Sequence, residues 1–237
     1  MQIARNVYQL TGHITGLNAN TYALDTEDGL VLIDTGYRPY YVDTMKRMLA
    51  FWGLQDRKIA AVFVTHAHFD HSGNAHLFEA EGVPVYASAI DAEAMEQGGD
   101  RCMESVFGTE YTPCKAVRRV KDGERFAFGN AHITAMEAPG HTKGHMGFLA
   151  EISGLRLLFL GDMFIISGAS PADEIELEVG FNGSVDYDAA ANLRSFEKLL
   201  SVEVDIVAVG HRGVYYGDSR ELFANMYEVA QKSIAIE

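Results

Sequence analysis

Four apolar runs in this chain each end at a residue that can hold a metal or move a proton. "AVFVT" leads into His66, "ITAMEAPG" into His141, "LLFLG" into Asp162 and "DIVAVG" into His211. Short, continuously apolar runs predict strands buried on both faces, because a strand with one wet face alternates. Such strands lie in sheets covered by helices, and functional groups gather beyond their carboxyl ends. The pattern limits the chain to an α/β architecture in which several strand ends converge on one place.

The remaining elements follow from local pattern. "NTYALDT" (20–26) and "GLVLIDTG" (29–36) predict strands joined at Glu27-Asp28-Gly29, a hairpin turn signal. A helix is predicted over 40–51, with Met45, Met48, Leu49 and Trp52 as its apolar stripe. Strand "KIAAVFV" (58–64), a helix over 72–81, strand "PVYAS" (84–88) and a helix over 89–97 come next. In the second half, "ERFAFGNAHITAMEAPG" predicts a hairpin at Gly129-Asn130, and "GHMGFLAEISGLRLLFLGD" two strands around Ser153-Gly154. A helix over 186–201, strand "VDIVAVG" and a helix over 218–234 complete the chain. Both halves open with strand pairs and then mix strands with helices. Two sheets packed together with helices outside, a four-layer αββα sandwich, would bury these runs.

The chain of 237 residues, 48% of them hydrophobic, is long enough for a large core, and no Pro- or Ser-rich stretch divides it. One domain over 1–237 is expected. The net charge of −14 disfavours phosphate backbones, so nucleic acid is not an expected partner. The one locally basic stretch, 115–125, alternates and is interrupted by Asp122 and Glu124, which predicts a solvated edge strand. Cys102 and Cys114 lack C-x-x-C spacing and are read as reduced, structural thiols. The first residues carry no signal-peptide pattern, and no run of 18 apolar residues occurs, so a cytoplasmic protein without a membrane span is expected.

"VTHAHFDHSG" (64–73) concentrates the chemistry: His66, His68, Asp70 and His71 fall within six positions. In extended backbone, residues two apart point the same way, so His66 and His68 can grip one ion, with Asp70 on the same side. A following helix would swing His71 inward. Four donors exceed what one ion needs if it must also hold water; they suit two ions, about 3.5–4 Å apart. The other histidines are less telling. His76 is expected on a helix surface and His132 on an alternating strand. His145 could support the ligands, and His13, in the Gly-rich "TGHITG", could flank a pocket.

With these motifs assembled, the chain resembles the metallo-β-lactamase superfamily. "THAHFDHSG" matches its H-x-H-x-D-H signature, and "LIDTG", "APGHTKGH", "FLGD" and "VGH" match its further motifs in order, over about residues 7–215. The resemblance implies an αββα sandwich of two similar halves with metals at one edge. It implies His66, His68 and His141 on a first metal, Asp70, His71 and His211 on a second, and Asp162 bridging them. Asp34 would orient the ligand loop without touching metal. The cofactors implied are two divalent ions, zinc first, with iron or manganese as alternatives.

The departures narrow the branch. The antibiotic-degrading enzymes with two zincs often have cysteine at the position of Asp162; aspartate there is similar to the glyoxalase II and lactonase branches. Only 26 residues follow His211, so the glutathione-binding helical domain of glyoxalase II is not expected. Ile165 occupies the position of an acyl-homoserine lactonase tyrosine. The large insertions and basic surfaces of the RNA-cleaving branches are missing, and His68 departs from the flavodiiron pattern. The implied activity is hydrolysis of a small acyl ester, thioester or lactone by a hydroxide bridging the metals. Asp70 and Asp162 would fix that hydroxide, and the leaving group would take its proton from water or Asp70. The alternatives are a mononuclear iron oxidoreductase of the persulfide dioxygenase type, or a non-catalytic metal-binding protein on this scaffold. Specificity is expected from segment 163–188, read as a long loop, with Met163, Phe164, Ile165 and Ile166 either walling the pocket or packing in the core. Lys143 and Arg212 could grip a substrate anion.

Overall fold

A computed structural model describes residues 1–168 and 175–234. Seven strands form the first sheet in sequence order: β1 (Gln2–Ala4), β2 (Val7–Gln9), β3 (Tyr22–Thr26), β4 (Gly29–Ile33), β5 (Ile59–Phe63), β6 (Val85–Ser88) and β7 (Arg118–Val120). The first four pair antiparallel; β4 to β7 run parallel, joined by helical crossovers. Then come β8 (Arg125–Phe128), β9 (Ala131–Glu137), β10 (Met146–Ile152), β11 (Leu155–Phe159), β12 (Phe164–Gly168), β13 (Ile175–Val179), β14 (Ile206–Ala208) and β15 (Val214–Tyr216). Six of these make the second sheet, ordered β15-β14-β11-β10-β9-β8, while β12 and β13 pair with each other.

The helices are α1 (Arg38–Phe51), α2 (Phe69–Ser72), α3 (Ala75–Ala80), α4 (Ala89–Gln97), α5 (Glu104–Phe107), α6 (Ala189–Leu199) and α7 (Ser219–Ile234). None of the described helices is long and apolar enough to cross a membrane.

Three apolar layers account for the continuously apolar runs. Leu30 and Leu32 of β4 pack with Met45, Leu49 and Phe78 of the first helices, while Val31 and Ile33 face the other sheet. In β11, Leu157 and Phe159 face the first sheet, and Leu158 meets Phe196 and Phe223 of α6 and α7. Each strand thus buries alternate residues in different layers, and the result is the αββα sandwich. Phe63 stands at the middle of the sheet-to-sheet layer. Its ring stacks on Tyr86 at 4.8 Å and meets Phe126 and Phe148 edge-on at 5.1 Å each.

Most predicted elements are present, and the stripe of α1 packs as expected, with Met45 and Leu49 buried and Met48 and Trp52 against them. The helix predicted over 72–81 is present as the shorter α3, and a separate short helix that the sequence did not announce, α2, precedes it, with Gly73-Asn74 as the break between them. The Asn74 amide donates to Thr35 O and Arg38 O at 3.1 Å each, tying the break to the chain beyond β4. β1, β2 and β15, which no prediction named, extend the sheets. Segment 163–188 is not all loop: it carries the β12–β13 hairpin, and residues 169–174 within it lie outside the described residues. Met163, Phe164 and Ile166 are core residues against α6 and α7, which decides between the two readings of 163–166 in favour of the core, and of the four only Ile165 is half-exposed. The basic stretch supplies edge strand β7, whose exposed Arg118 and Arg119 discourage further strand pairing. Arg119 is itself paired with Glu96.

Candidate metal centre

The seven candidate donors meet beyond the carboxyl ends of strands from both sheets. The chain leaves β5 at Phe63 and bends at Thr65 before His66 and His68, whose rings lie 4.6 Å apart. Asp70 and His71 follow on α2, for which His68 is the N-cap residue. His141 lies in the turn between β9 and β10, Asp162 just past β11 and His211 just past β14. β9, β11 and β14 share one direction, because β10 is antiparallel to both of its neighbours and β14 is parallel to β11. Gly161 (φ +48°) makes the turn before Asp162, and a side chain there would meet Thr65 Oγ1 at 2.6 Å and His145 Nε2 at 2.8 Å.

Two groups of atoms result. In the first, His141 Nε2 lies 3.2 Å from His66 Nε2 and 3.0 Å from His68 Nδ1. In the second, His71 Nε2 lies 3.4 Å from His211 Nε2, and Asp70 Oδ2 lies 3.4 Å from His211 Nε2 and 3.6 Å from His71 Nε2. Asp162 stands between them. Its Oδ1 is 3.2 Å from His71 Nε2, and its Oδ2 is 2.9 Å from His211 Nε2 and 3.7 Å from His141 Nε2. Ligands about 2.0–2.1 Å from a tetrahedral ion are separated by about 3.3–3.4 Å. The spacings in both groups fall around that value, so the donor set fits metal ions by size as well as by chemistry.

Protonation fits as well. A metal needs neutral imidazoles. Burial pushes His68, His141 and His145 down to about 3. Burial also lowers His66 well below its usual value, helped by the nearby His71, His68 and His141. His71 differs: burial opposes its charge, but Asp162 and Asp70 outweigh it and raise the imidazole well above its usual range. His211 is raised in the same way, burial being outweighed chiefly by Asp162. For Asp162, burial works upward, yet His211 and His71 hold it well below the ordinary carboxylate range. Asp70 is raised, burial outweighing those same histidines. The second group therefore holds protons that a cation would displace, and the first does not.

Surrounding groups aim the donors. Asp34, in left-handed backbone at φ 60°, accepts from His71 Nδ1 at 2.9 Å and from Thr65 N at 2.8 Å. Asn18 O accepts from His211 Nδ1 at 3.1 Å. Each contact holds the proton on Nδ1 and turns Nε2 toward the centre, so that Nε2 is the atom a cation would take once its own proton leaves. Asp34 thus holds His71 and the chain before His66 in place, and His145 lies on the other side: His145 Nε2 accepts the Asp162 backbone amide at 3.3 Å. Sequence reasoning missed three further supports. Asn20 Nδ2 and Tyr22 Oη both donate to Val209 O, at 2.9 and 2.7 Å, and so anchor the His211 loop. Asp91, whose carboxyl burial pushes up to about 6, accepts from Ala67 N and Thr142 Oγ1.

Other candidates are not brought into the cluster. His13 and His132 are exposed, and His76 is half-buried on α3, with its Nδ1 3.0 Å from Gly73 O. Lys143 is exposed; Arg212 is exposed and donates to Ser167 Oγ at 2.7 Å. Solvent touches the centre mainly at the side chains of His211 (12% exposed), Asp70 (9%) and Asp162 (8%), whereas His71 is fully covered. The two carboxylates thus line the accessible face.

Residues 14–211 match the family model of the metallo-β-lactamase superfamily. The chain belongs to that superfamily. Its fold is that of a metallo-β-lactamase from Cronobacter sakazakii, a HARLDQ-motif mutant: TM-score 0.76, 22% identity, covering 100% of this chain and 96% of that one. A second solved structure, a crystal structure of a protein in a di-iron-bound form, is 30% identical with a TM-score of 0.65, over 88% of this chain and 93% of that one. Among curated relatives, an atrochrysone carboxyl ACP thioesterase of Paecilomyces divaricatus is 29% identical over 178 residues, 74% of this chain and 49% of the relative. The chain spans about half the length of the curated relatives it matches first. The superfamily uses divalent metals, and the His/Asp groups described here are of the kind that hold them.

Proposed function

We propose that the chain is a metal-dependent hydrolase that cleaves small acyl thioesters at a two-ion centre. The observation that carries the reading is the convergence of seven donors into two groups with Asp162 between them. His66, His68 and His141 would hold one ion, Asp70, His71 and His211 the other, and Asp162 both. Zinc suits imidazole and carboxylate donors best, with iron or manganese as alternatives. When bound, the ions supply Lewis acidity, which polarises a carbonyl and acidifies water.

The protein's own groups do the rest. Asp70 and Asp162 line the accessible face of the cluster, where both would orient the attacking water and Asp70 would take up its proton. Water adds to the acyl carbon, the C–S bond breaks, and the products are a carboxylic acid and a thiol. Asp70, whose carboxyl already sits above its ordinary range through burial, is the group suited to return a proton to sulfur. A thiol pKa of about 8.5 makes that demand small. Thioesters are favoured over other acyl substrates because several fungal relatives, at 27–29% identity, are named atrochrysone carboxyl ACP thioesterases. The net charge of −14 disfavours nucleic acid. Action as one domain in the cytoplasm belongs to the same reading; two buried free thiols suit a reducing compartment.

The test compares acyl thioesters, aryl esters, lactones, RNA and DNA as substrates of metal-loaded and chelator-stripped protein. Thioester hydrolysis that vanishes on stripping and returns with zinc is expected. Nucleic-acid cleavage without acyl hydrolysis would overturn the substrate class, and hydrolysis indifferent to stripping would overturn the mechanism.

A further inference from the structure

Asp91 is a buried carboxylate that joins both halves of the molecule at this site without belonging to either donor group. It lies in the first turn of α4, yet does not cap that helix: the cap is Ser88 Oγ, which accepts from Asp91 N at 3.0 Å. Its side chain turns the other way. Oδ2 accepts the Ala67 backbone amide at 3.2 Å and the Thr142 hydroxyl at 2.8 Å. Ala67 is the residue between His66 and His68, and Thr142 follows His141. One oxygen therefore ties down the two loops that carry all three donors of the first group. The loops reach it from different sheets, Ala67 after β5 and Thr142 after β9. The packing is close: a side chain at Gly144 would meet Asp91 Oδ1 at 2.6 Å and Ser88 Oγ closer still. Burial makes this an expensive place for a carboxyl, and its 1% exposure admits no solvent to offset that cost.

We propose that Asp91 is a positioning residue which sets the spacing of His66, His68 and His141, and thereby the affinity of the first of the two metal sites. The inference rests on the two-ion reading above. Nearby groups that orient ligands typically change metal affinity by 10–100-fold when removed. Because both donors converge on one oxygen, asparagine can serve both with its amide oxygen, while alanine serves neither.

The experiment titrates zinc into metal-stripped wild type, Asp91→Asn, Asp91→Ala and Thr142→Val against a chromophoric chelator, and measures Tm of each with and without zinc. In Asp91→Ala one ion should bind about 10–100-fold more weakly and the other within about threefold of wild type. The rise in Tm on adding zinc should shrink with it. Asp91→Asn should keep both affinities, and Thr142→Val should weaken the same single ion less. Wild-type affinities in Asp91→Ala, or equal losses at both ions, overturn the proposal. So does a Tm lowered equally with and without zinc at unchanged affinity, which marks a purely structural residue. If Asp91→Ala does not fold, Thr142→Val decides by the same reading. A wild type that takes up no zinc overturns the two-ion reading and this inference together; a two-ion wild type matched by its variants overturns this inference alone.

Discussion

Replacing Asp162 with asparagine keeps its size and removes its charge, and it should nearly abolish hydrolysis. The carboxylate is buried and makes two close contacts with imidazoles that it holds protonated in the metal-free protein: His211 Nε2 at 2.9 Å and His71 Nε2 at 3.2 Å. In the loaded protein those contacts give way to the ions, and a group that only orients a metal ligand already costs about 10–100-fold in metal affinity or activity when lost. Asp162 would hold both ions directly, so the loss in kcat/KM should be at least about 100-fold, or roughly 2.7 kcal/mol at 1.36 kcal/mol per tenfold. With metal bound the same carboxylate would serve both groups, so metal content should fall too. Lys143 is the comparison. It is exposed, where a charge contact contributes about 1 kcal/mol at most, so Lys143→Ala should lose less than about tenfold. The assay is thioester hydrolysis at saturating zinc, with metal content measured on the same samples. Comparable losses in the two variants, with metal intact in both, would refute the assignment of Asp162 to both groups.

Two further outcomes are expected. Zinc binding to the second group should weaken as pH falls, because His71 and His211 are raised above their usual pKa and must lose protons to bind. The first group, with His68 and His141 at about 3, should load unchanged down to about pH 5. Calorimetric titration at several pH values checks this, and parallel pH dependence at both sites would refute it. Phe63→Ala should destabilise the fold by about 3–5 kcal/mol in denaturant titrations, since the ring is fully buried between the two sheets against Tyr86, Phe126 and Phe148; a loss below about 1 kcal/mol would refute the packing described.

The donors were legible because each is announced locally. His66, His68, Asp70 and His71 sit in one short motif, and His141, Asp162 and His211 each follow an apolar run. Asp91, Asn20 and Tyr22 carry no such mark. Their partners are backbone groups far along the chain, 24 residues away for Asp91 and Ala67 and 189 for Asn20 and Val209, so no spacing rule reaches them. The break between α2 and α3 was hidden because α2 has only four residues, Phe69–Ser72, too few to show a helical period of its own. It occurs where the chain must both aim His71 inward and meet the β4 loop through Asn74. Ile175, Leu177 and Val179 do alternate with glutamates in β13, a strand signal that the irregular stretch around it obscured. The apolar run at 163–166 was ambiguous by nature. An apolar residue beside a metal site reads the same whether it faces the substrate or the core, and only the position of α6 and α7 assigns Met163, Phe164 and Ile166 to the core.

The most direct test of the two-ion centre is the number of metal ions per chain, measured by elemental analysis after loading with zinc and dialysis against metal-free buffer. Seven donors in two groups with Asp162 between them predict two ions per chain. One ion per chain, or none, would contradict the account.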